Sequence, residues 1–158
     1  MALLGAFIVM LGTYALPSQM ISSEKHMVID QIGKIRFIGP ILIVIGIIGY
    51  LLCFWNFIFQ AKGSPFPGDQ KHLIVKGPYR YVRNPMYISW HLIIFGEALF
   101  FQSLDLLLYF SFWLVWFGIK VIFIEERTLK KRFGETYEQY RKSVRRWIPR
   151  LTPYRENG

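Results

Sequence analysis

Residues 106–124 read LLLYFSFWLVWFGIKVIFI, and residues 125–147 continue EERTLKKRFGETYEQYRKSVRRW. The first stretch carries a single charge, Lys120, and the second is charged throughout. Nineteen helical residues at 1.5 Å each reach about 28 Å, close to the thickness of a hydrocarbon core. No helix breaker stands at Glu125. The helix is therefore expected to leave the membrane and run on to about Phe133. Gly134 is expected to end it, and 135–144 to add an amphipathic turn or two.

Working back from this stretch, Gln102-Ser103-Leu104-Asp105 is a very short turn. It predicts an antiparallel hairpin between the 106–124 helix and an apolar helix over 86–104, MYISWHLIIFGEALFFQSL. Residues 61–87, AKGSPFPGDQKHLIVKGPYRYVRNPMY, hold four prolines and three glycines and read as a structured loop. A further span covers 37–60, with Pro40 in its first turn, where a missing N–H costs least. Residues 2–21 carry no charge and lack the basic start of a signal peptide, so they read as a retained span. The expected fold is all-α: a polytopic membrane protein of about four transmembrane helices. It forms one membrane domain over 1–158, with two N-terminal spans in 1–60 and a core in 61–150. The composition agrees: 53% hydrophobic, 18% aromatic and only 18% charged. That excludes a disordered chain, a coiled coil and a disulfide scaffold, and argues against an ordinary water-soluble domain.

The net charge of +9 is less informative than its placement. The 61–86 loop and the segment after residue 124 hold fifteen Lys and Arg between them, and the 102–105 turn holds none. By the positive-inside rule the loop and the tail are cytoplasmic and the turn faces outward. The basic groups flank apolar spans, so no nucleic-acid partner is expected; membrane lipids are. The lone cysteine, Cys53, lies in an apolar run and reads as a small core residue. With three histidines and no HxxxH spacing, no metal site is expected.

Loop and tail meet on one side of an adjacent helix pair, which makes a polar cup at the membrane surface. Glu125 and Glu126 stand where the helix leaves the lipid. There they can accept hydrogen bonds from a diol or an amine, or act as a surface pair beside Arg127. In Arg83-Asn84-Pro85-Met86-Tyr87 the proline can start a helix, whose free N–H groups and positive end suit a carboxylate. Glu97 lies ten residues past Tyr87, about 15 Å deeper, on one helical face with Tyr87, Trp90 and Ile94. An acid at that depth should face protein or a cavity. Lys120 can snorkel to the cup, pair with a Glu or line the site. His91 reads as an interhelical packing residue.

LIVKGPYRYVRNPMY (73–87), followed across one hairpin by EERTLKKRFGETYEQYRKSVRRWIPR (125–150), resembles the integral-membrane isoprenylcysteine carboxyl methyltransferases and their phospholipid methyltransferase relatives. The resemblance covers 61–150. It implies S-adenosylmethionine as cofactor, held on the cytoplasmic face, and a lipophilic acceptor arriving from the bilayer. The cofactor contacts it implies are Lys71, His72, Leu73, Ile74, Tyr79, Asn84, Pro85, Met86, Tyr87 and Glu125. Arg83 and Glu126 are the candidate catalytic residues, and Trp90, Glu97 and Lys120 are the candidate acceptor contacts. The chain departs from the family pattern twice. Asn84 stands where the family usually has His, and it cannot titrate. Val121, beside Lys120, stands where the prenylcysteine enzymes carry an Arg linked to the substrate carboxylate. A carboxylate or thiolate acceptor needs no base, whereas an amine does, and Glu126 or Glu97 could serve. The alternatives are an NADPH-dependent membrane reductase of the sterol-reductase type and a small four-helix transporter with Glu97 as its coupling acid.

Overall fold

A computed structural model describes residues 30–60, 73 and 75–155. The 2–21 run, and with it the expectation of a first span, lies outside the described residues, as do Lys71, His72 and Ile74. The described residues are helical or loop, with no strand among them. Helix α1 is Ile38–Gln60, α2 is Pro85–Phe101, α3 is Leu104–Lys120 and α4 is Glu126–Ser143; a π turn, Val121–Glu125, joins α3 to α4. Gly33–Asn56 and the continuous run Leu104–Ser143 are long and apolar enough to cross a membrane, and α2 is a shorter apolar helix. Ile41, Val44, Ile48, Leu51 and Trp55 of α1 and Leu108, Phe112, Val115 and Ile119 of α3 are exposed. A core helix of a soluble protein would bury such side chains; these form an apolar outer surface suited to lipid.

α1 and α2 lie close because small residues face each other. A Cβ on Gly96 would stand 2.7 Å from the Gly39 carbonyl oxygen, and one on Gly46 would stand 2.7 Å from the Ser89 carbonyl oxygen. Two backbones that near gain their attraction from van der Waals contact, the usual device where water supplies no hydrophobic drive. Cys53 is fully buried, as its apolar surroundings in the sequence suggest.

The α2–α3 hairpin turns as its short spacing predicts. Gln102 adopts a left-handed conformation (φ 51°), and the Ser103 hydroxyl accepts the Leu106 N–H at 3.3 Å to cap α3. Asp105 sits in the first turn of α3, where a negative charge complements the helix dipole. α2 starts at Pro85, the position where proline costs no hydrogen bond. At the far end Gly134 (φ 52°, ψ −123°) breaks the exit helix, where the sequence places the break. The break folds the second leg of α4 back so that Tyr137, Tyr140 and Val144 bury together, with Leu73, Val75, Leu129, Phe133 and Tyr154 packed around them.

Two variants test this arrangement. Gly96→Leu should lower stability by about 1–3 kcal/mol through overpacking. Its thermal unfolding in detergent should fall well below that of the parent, and an unchanged midpoint would show that the two backbones are not in contact. Gly134→Ala places a Cβ on a conformation reserved for glycine, at about 1–3 kcal/mol. It should loosen the second leg of α4, read as faster tryptic cleavage after Arg141 and Lys142; an unaltered digestion rate would contradict the break.

Candidate functional site at the membrane surface

The start of α2 and the end of α3 lie side by side, and Glu125 and Glu126 divide the work between them. Consecutive helical residues point about 100° apart, so the two carboxylates serve different neighbours. Glu125 Oε1 accepts the Tyr87 hydroxyl at 2.5 Å and pairs with Lys120 Nζ at 3.1 Å. Lys120 Nζ also donates to the Tyr87 hydroxyl oxygen at 3.1 Å and stands 5.6 Å from the ring centroids of Tyr87 and Phe117. Glu125 Oε2 takes no hydrogen bond from the described residues.

This cluster exists because of the π turn. Residues five apart on an α-helix point about 140° from each other, so Lys120 and Glu125 would diverge. In the turn Val121–Glu125 the Glu126 N–H bonds to the Val121 carbonyl, five residues back. The extra residue brings Lys120 onto the face of Glu125 and buries Val121. Thus Val121 is core, and Lys120 is the cation one turn below the acidic pair.

Glu126 is buried and bound by two guanidinium groups. Arg83 Nη1 reaches its Oε1 at 3.0 Å; Arg146 reaches Oε1 through Nε at 2.6 Å and Oε2 through Nη2 at 3.0 Å. Glu126 holds the Arg146 guanidinium above its ordinary pKa. Both oxygens of Glu126, a candidate base, accept from arginine. Arg83 Nη1 also reaches the Tyr137 hydroxyl at 3.4 Å, and Arg83 Nε is buried with no partner among the described residues. Two arginines against one carboxylate leave the node one positive charge in excess.

Backbone bonds lace the loop before α2 to the segment after α4. Arg83 N–H donates to the Arg145 carbonyl, Arg150 N–H to that of Tyr81, and Tyr154 N–H to that of Arg80, at 2.9–3.0 Å. Asn84 Nδ2 donates to the Arg146 carbonyl at 3.2 Å, and the Tyr140 hydroxyl to the Tyr79 carbonyl at 2.6 Å. Burial pushes the Tyr140 phenol above its ordinary pKa, so it keeps the proton it donates. Gly77 (φ 55°) lets this loop lie against Asn56 at the end of α1.

Below the cluster, α2, α3 and Trp147 line an open-sided cavity of about 440 Å³, walled by Ile88, His91, Leu92, Phe95, Phe110, Leu114, Gly118 and Trp147. His91 Nδ1–H donates to the Tyr87 carbonyl at 2.6 Å, and its Nε2 is buried without a partner among the described residues. Of the candidate acceptor contacts, Lys120 joins the cluster, and Trp90 and Glu97 lie off the cavity wall. Trp90 is buried against Trp113 and Phe117, with centroids 5.7 and 5.3 Å away, and walls no part of the cavity. Glu97, half-buried, is also absent from the cavity wall and makes no hydrogen bond to the described residues. The structure therefore gathers Arg83, Asn84, Pro85, Met86, Tyr87, Lys120, Glu125 and Glu126 at the surface, with Tyr79 bonded to the tail and Leu73 packed on it. Arg146, Tyr137 and Trp147 join the site without having been singled out, and His91 packs between α2 and α3 against Phe110 and Phe117 while also lining the cavity. For Arg146 and Trp147 the only signal was a basic pair followed by Trp-Ile-Pro.

S-adenosylmethionine would need an anion site, a diol or ammonium acceptor and an apolar wall. The orphaned Arg83 Nε beside the first turn of α2, the free Oε2 of Glu125 and the Tyr79–Leu73 side of the loop fit those needs.

Comparison with known proteins gives the family. The phospholipid methyltransferase family model matches residues 35–136. Protein-S-isoprenylcysteine O-methyltransferase of Schizosaccharomyces pombe is 38% identical over 82 residues, which cover 51% of this chain and 35% of that protein. Phosphatidylethanolamine N-methyltransferase of Debaryomyces hansenii is 34% identical over 124 residues, 73% of this chain and 14% of that protein. The chain thus spans about a third or less of the length of these curated relatives, and no solved structure matches it. The family model takes in the paired glycines of α1, the start of α2 and the Glu125–Glu126 pair, and on that match the chain belongs to the phospholipid methyltransferase family.

Proposed function

We propose that the chain transfers a methyl group from S-adenosylmethionine to a lipophilic acceptor that enters from the bilayer. The observation that carries this reading is the meeting of Arg83–Tyr87 with Glu125–Glu126 directly above an apolar cavity. The four-span topology, with the cluster on the cytoplasmic face, goes with it and rests on charge placement.

In this reading Arg83 and the first N–H groups of α2 hold the cofactor's carboxylate. Glu125 Oε2 takes its ribose diol or ammonium, and Tyr79 and Leu73 flank its adenine, with Lys71, His72 and Ile74 completing that side. When bound, the cofactor would supply an electrophilic methyl carbon on a sulfonium, whose sulfur would leave as a neutral thioether. The chain's own contribution is to hold both reactants in line and to exclude water. Tyr87, fixed by Glu125 and Lys120, precedes Ile88 of the cavity wall and so ties the cup to the cavity. The cavity takes the acceptor's apolar body, with His91 Nε2 as its polar contact. Glu126 is a positioning residue that holds Arg83. The acceptor is a carboxylate, a thiolate or an amine; an amine would need a base, and Glu125 keeps Oε2 unengaged among the described residues.

Calorimetry on the full chain in detergent tests the cofactor. S-adenosylmethionine or its demethylated product should bind at micromolar concentrations. Glu125→Ala should weaken binding by about tenfold or more, the worth of a hydrogen bond to a charged group. Binding of NADPH in place of either ligand would overturn the assignment.

A further inference from the structure

The segment after α4 carries two features that methyl transfer does not use. Leu151 is 99% exposed and Ile148 is 61% exposed, yet the segment is not a loose tail. The backbone bonds to Tyr81 and Arg80 pin it on either side of Leu151, and Arg150 Nη1 donates to the Ser143 carbonyl at 3.0 Å. A fixed strap therefore holds two large apolar side chains, three residues apart, away from the protein.

Its depth identifies what they meet. Trp147 shares the cavity wall with Gly118 and Ile88. Gly118 lies seven residues before Glu125 on the exit helix, about 10 Å towards the apolar side. Ile148, next in the chain to Trp147, and Leu151 add to the exposed apolar side chains that the exit helix presents at Ile119, Ile122 and Ile124. Around them Lys142, Arg145 and Arg155 are exposed, and none has a carboxylate partner among the described residues. Apolar side chains at the boundary of a membrane-spanning helix, ringed by unpaired cations, match a bilayer surface bearing negative headgroups.

We infer that residues 144–155 form a membrane anchor: Ile148 and Leu151 insert at the headgroup boundary, while Lys142, Arg145 and Arg155 bind the phosphates of anionic phospholipids. The same strap supplies the Arg145 and Arg146 carbonyls to Arg83 and Asn84, and the Arg146 guanidinium to Glu126. Lipid contact would therefore help hold the cluster together.

The test needs neither cofactor nor activity, so it stands apart from the proposed reaction. A Thr152→Cys variant of the full chain is labelled with a small environment-sensitive fluorophore; buried Cys53 should stay unlabelled. The protein is placed in nanodiscs of phosphatidylcholine alone, or of phosphatidylcholine mixed with phosphatidylglycerol. Headgroup-depth spin-labelled lipid should quench the probe, about twofold more strongly with phosphatidylglycerol present, since each cation near an anionic surface is worth about fivefold in partition. Adding Ile148→Ser and Leu151→Ser should abolish lipid quenching. Replacing Lys142, Arg145 and Arg155 by Gln should remove the difference between the two lipids. A probe quenched by iodide and untouched by lipid in both discs, or quenched by lipid equally in both, overturns the inference.

Discussion

One buried carboxylate organises the surface of this protein. Glu126 lies between Arg83, which precedes α2, and Arg146, which follows α4. These residues are 43 and 20 positions from it in sequence, so the ion-paired node closes two loops at once. Removing one partner of such a buried pair leaves a charge without compensation, at about 3–5 kcal/mol. The two arginines differ in kind: Arg83 is held inside the cluster with its buried Nε–H unspent among the described residues, whereas Arg146 grips Glu126 in two-pronged fashion and brings the strap with it. The laced backbone of 80–84 and 145–154 follows from that grip.

Beneath the node, the apolar helices act as a rigid base. α1 and α2 approach through glycine and serine, and α2 and α3 meet through a cluster of aromatic rings around Trp90 and Phe117. The π turn then sets direction. Without the extra residue Lys120 would face away from Glu125, and both carboxylates would compete for the cations around them. With it, Glu125 belongs to Tyr87 and Lys120, and Glu126 to the arginines. One carboxylate keeps an oxygen available to a ligand while the other is spent on structure. π turns are uncommon inside α-helices and recur at functional positions.

Much of this was legible in the sequence. The Pro85 start, the 102–105 hairpin, the uninterrupted exit helix and the Gly134 break each depend on local chemistry, a ring without an N–H or a backbone without a Cβ, that acts wherever it occurs. The motif pair 73–87 and 125–150 likewise marked most of the cluster. Three features were not legible. The π turn leaves no mark in VIFIE, since its cost is met by tertiary contacts. Arg146 is one of ten basic residues after position 124, and only the fold selects it to face Glu126. The neighbour of each α2 face was not legible either, because helical periodicity gives which residues share a face, not which neighbour that face meets. Trp90 and Ile94 turned out to face α3, and the cavity opened on Ile88, His91, Leu92 and Phe95 instead.

The central claim is that a single carboxylate holds loop and strap together. Amide hydrogen exchange on Glu126→Ala, compared with the parent chain in the same detergent, tests it most directly. The account predicts that 79–84 and 144–150 lose protection together, while α2 and α3 between 88 and 118 keep theirs. Loss of protection in only one of the two segments, or in neither, would contradict it.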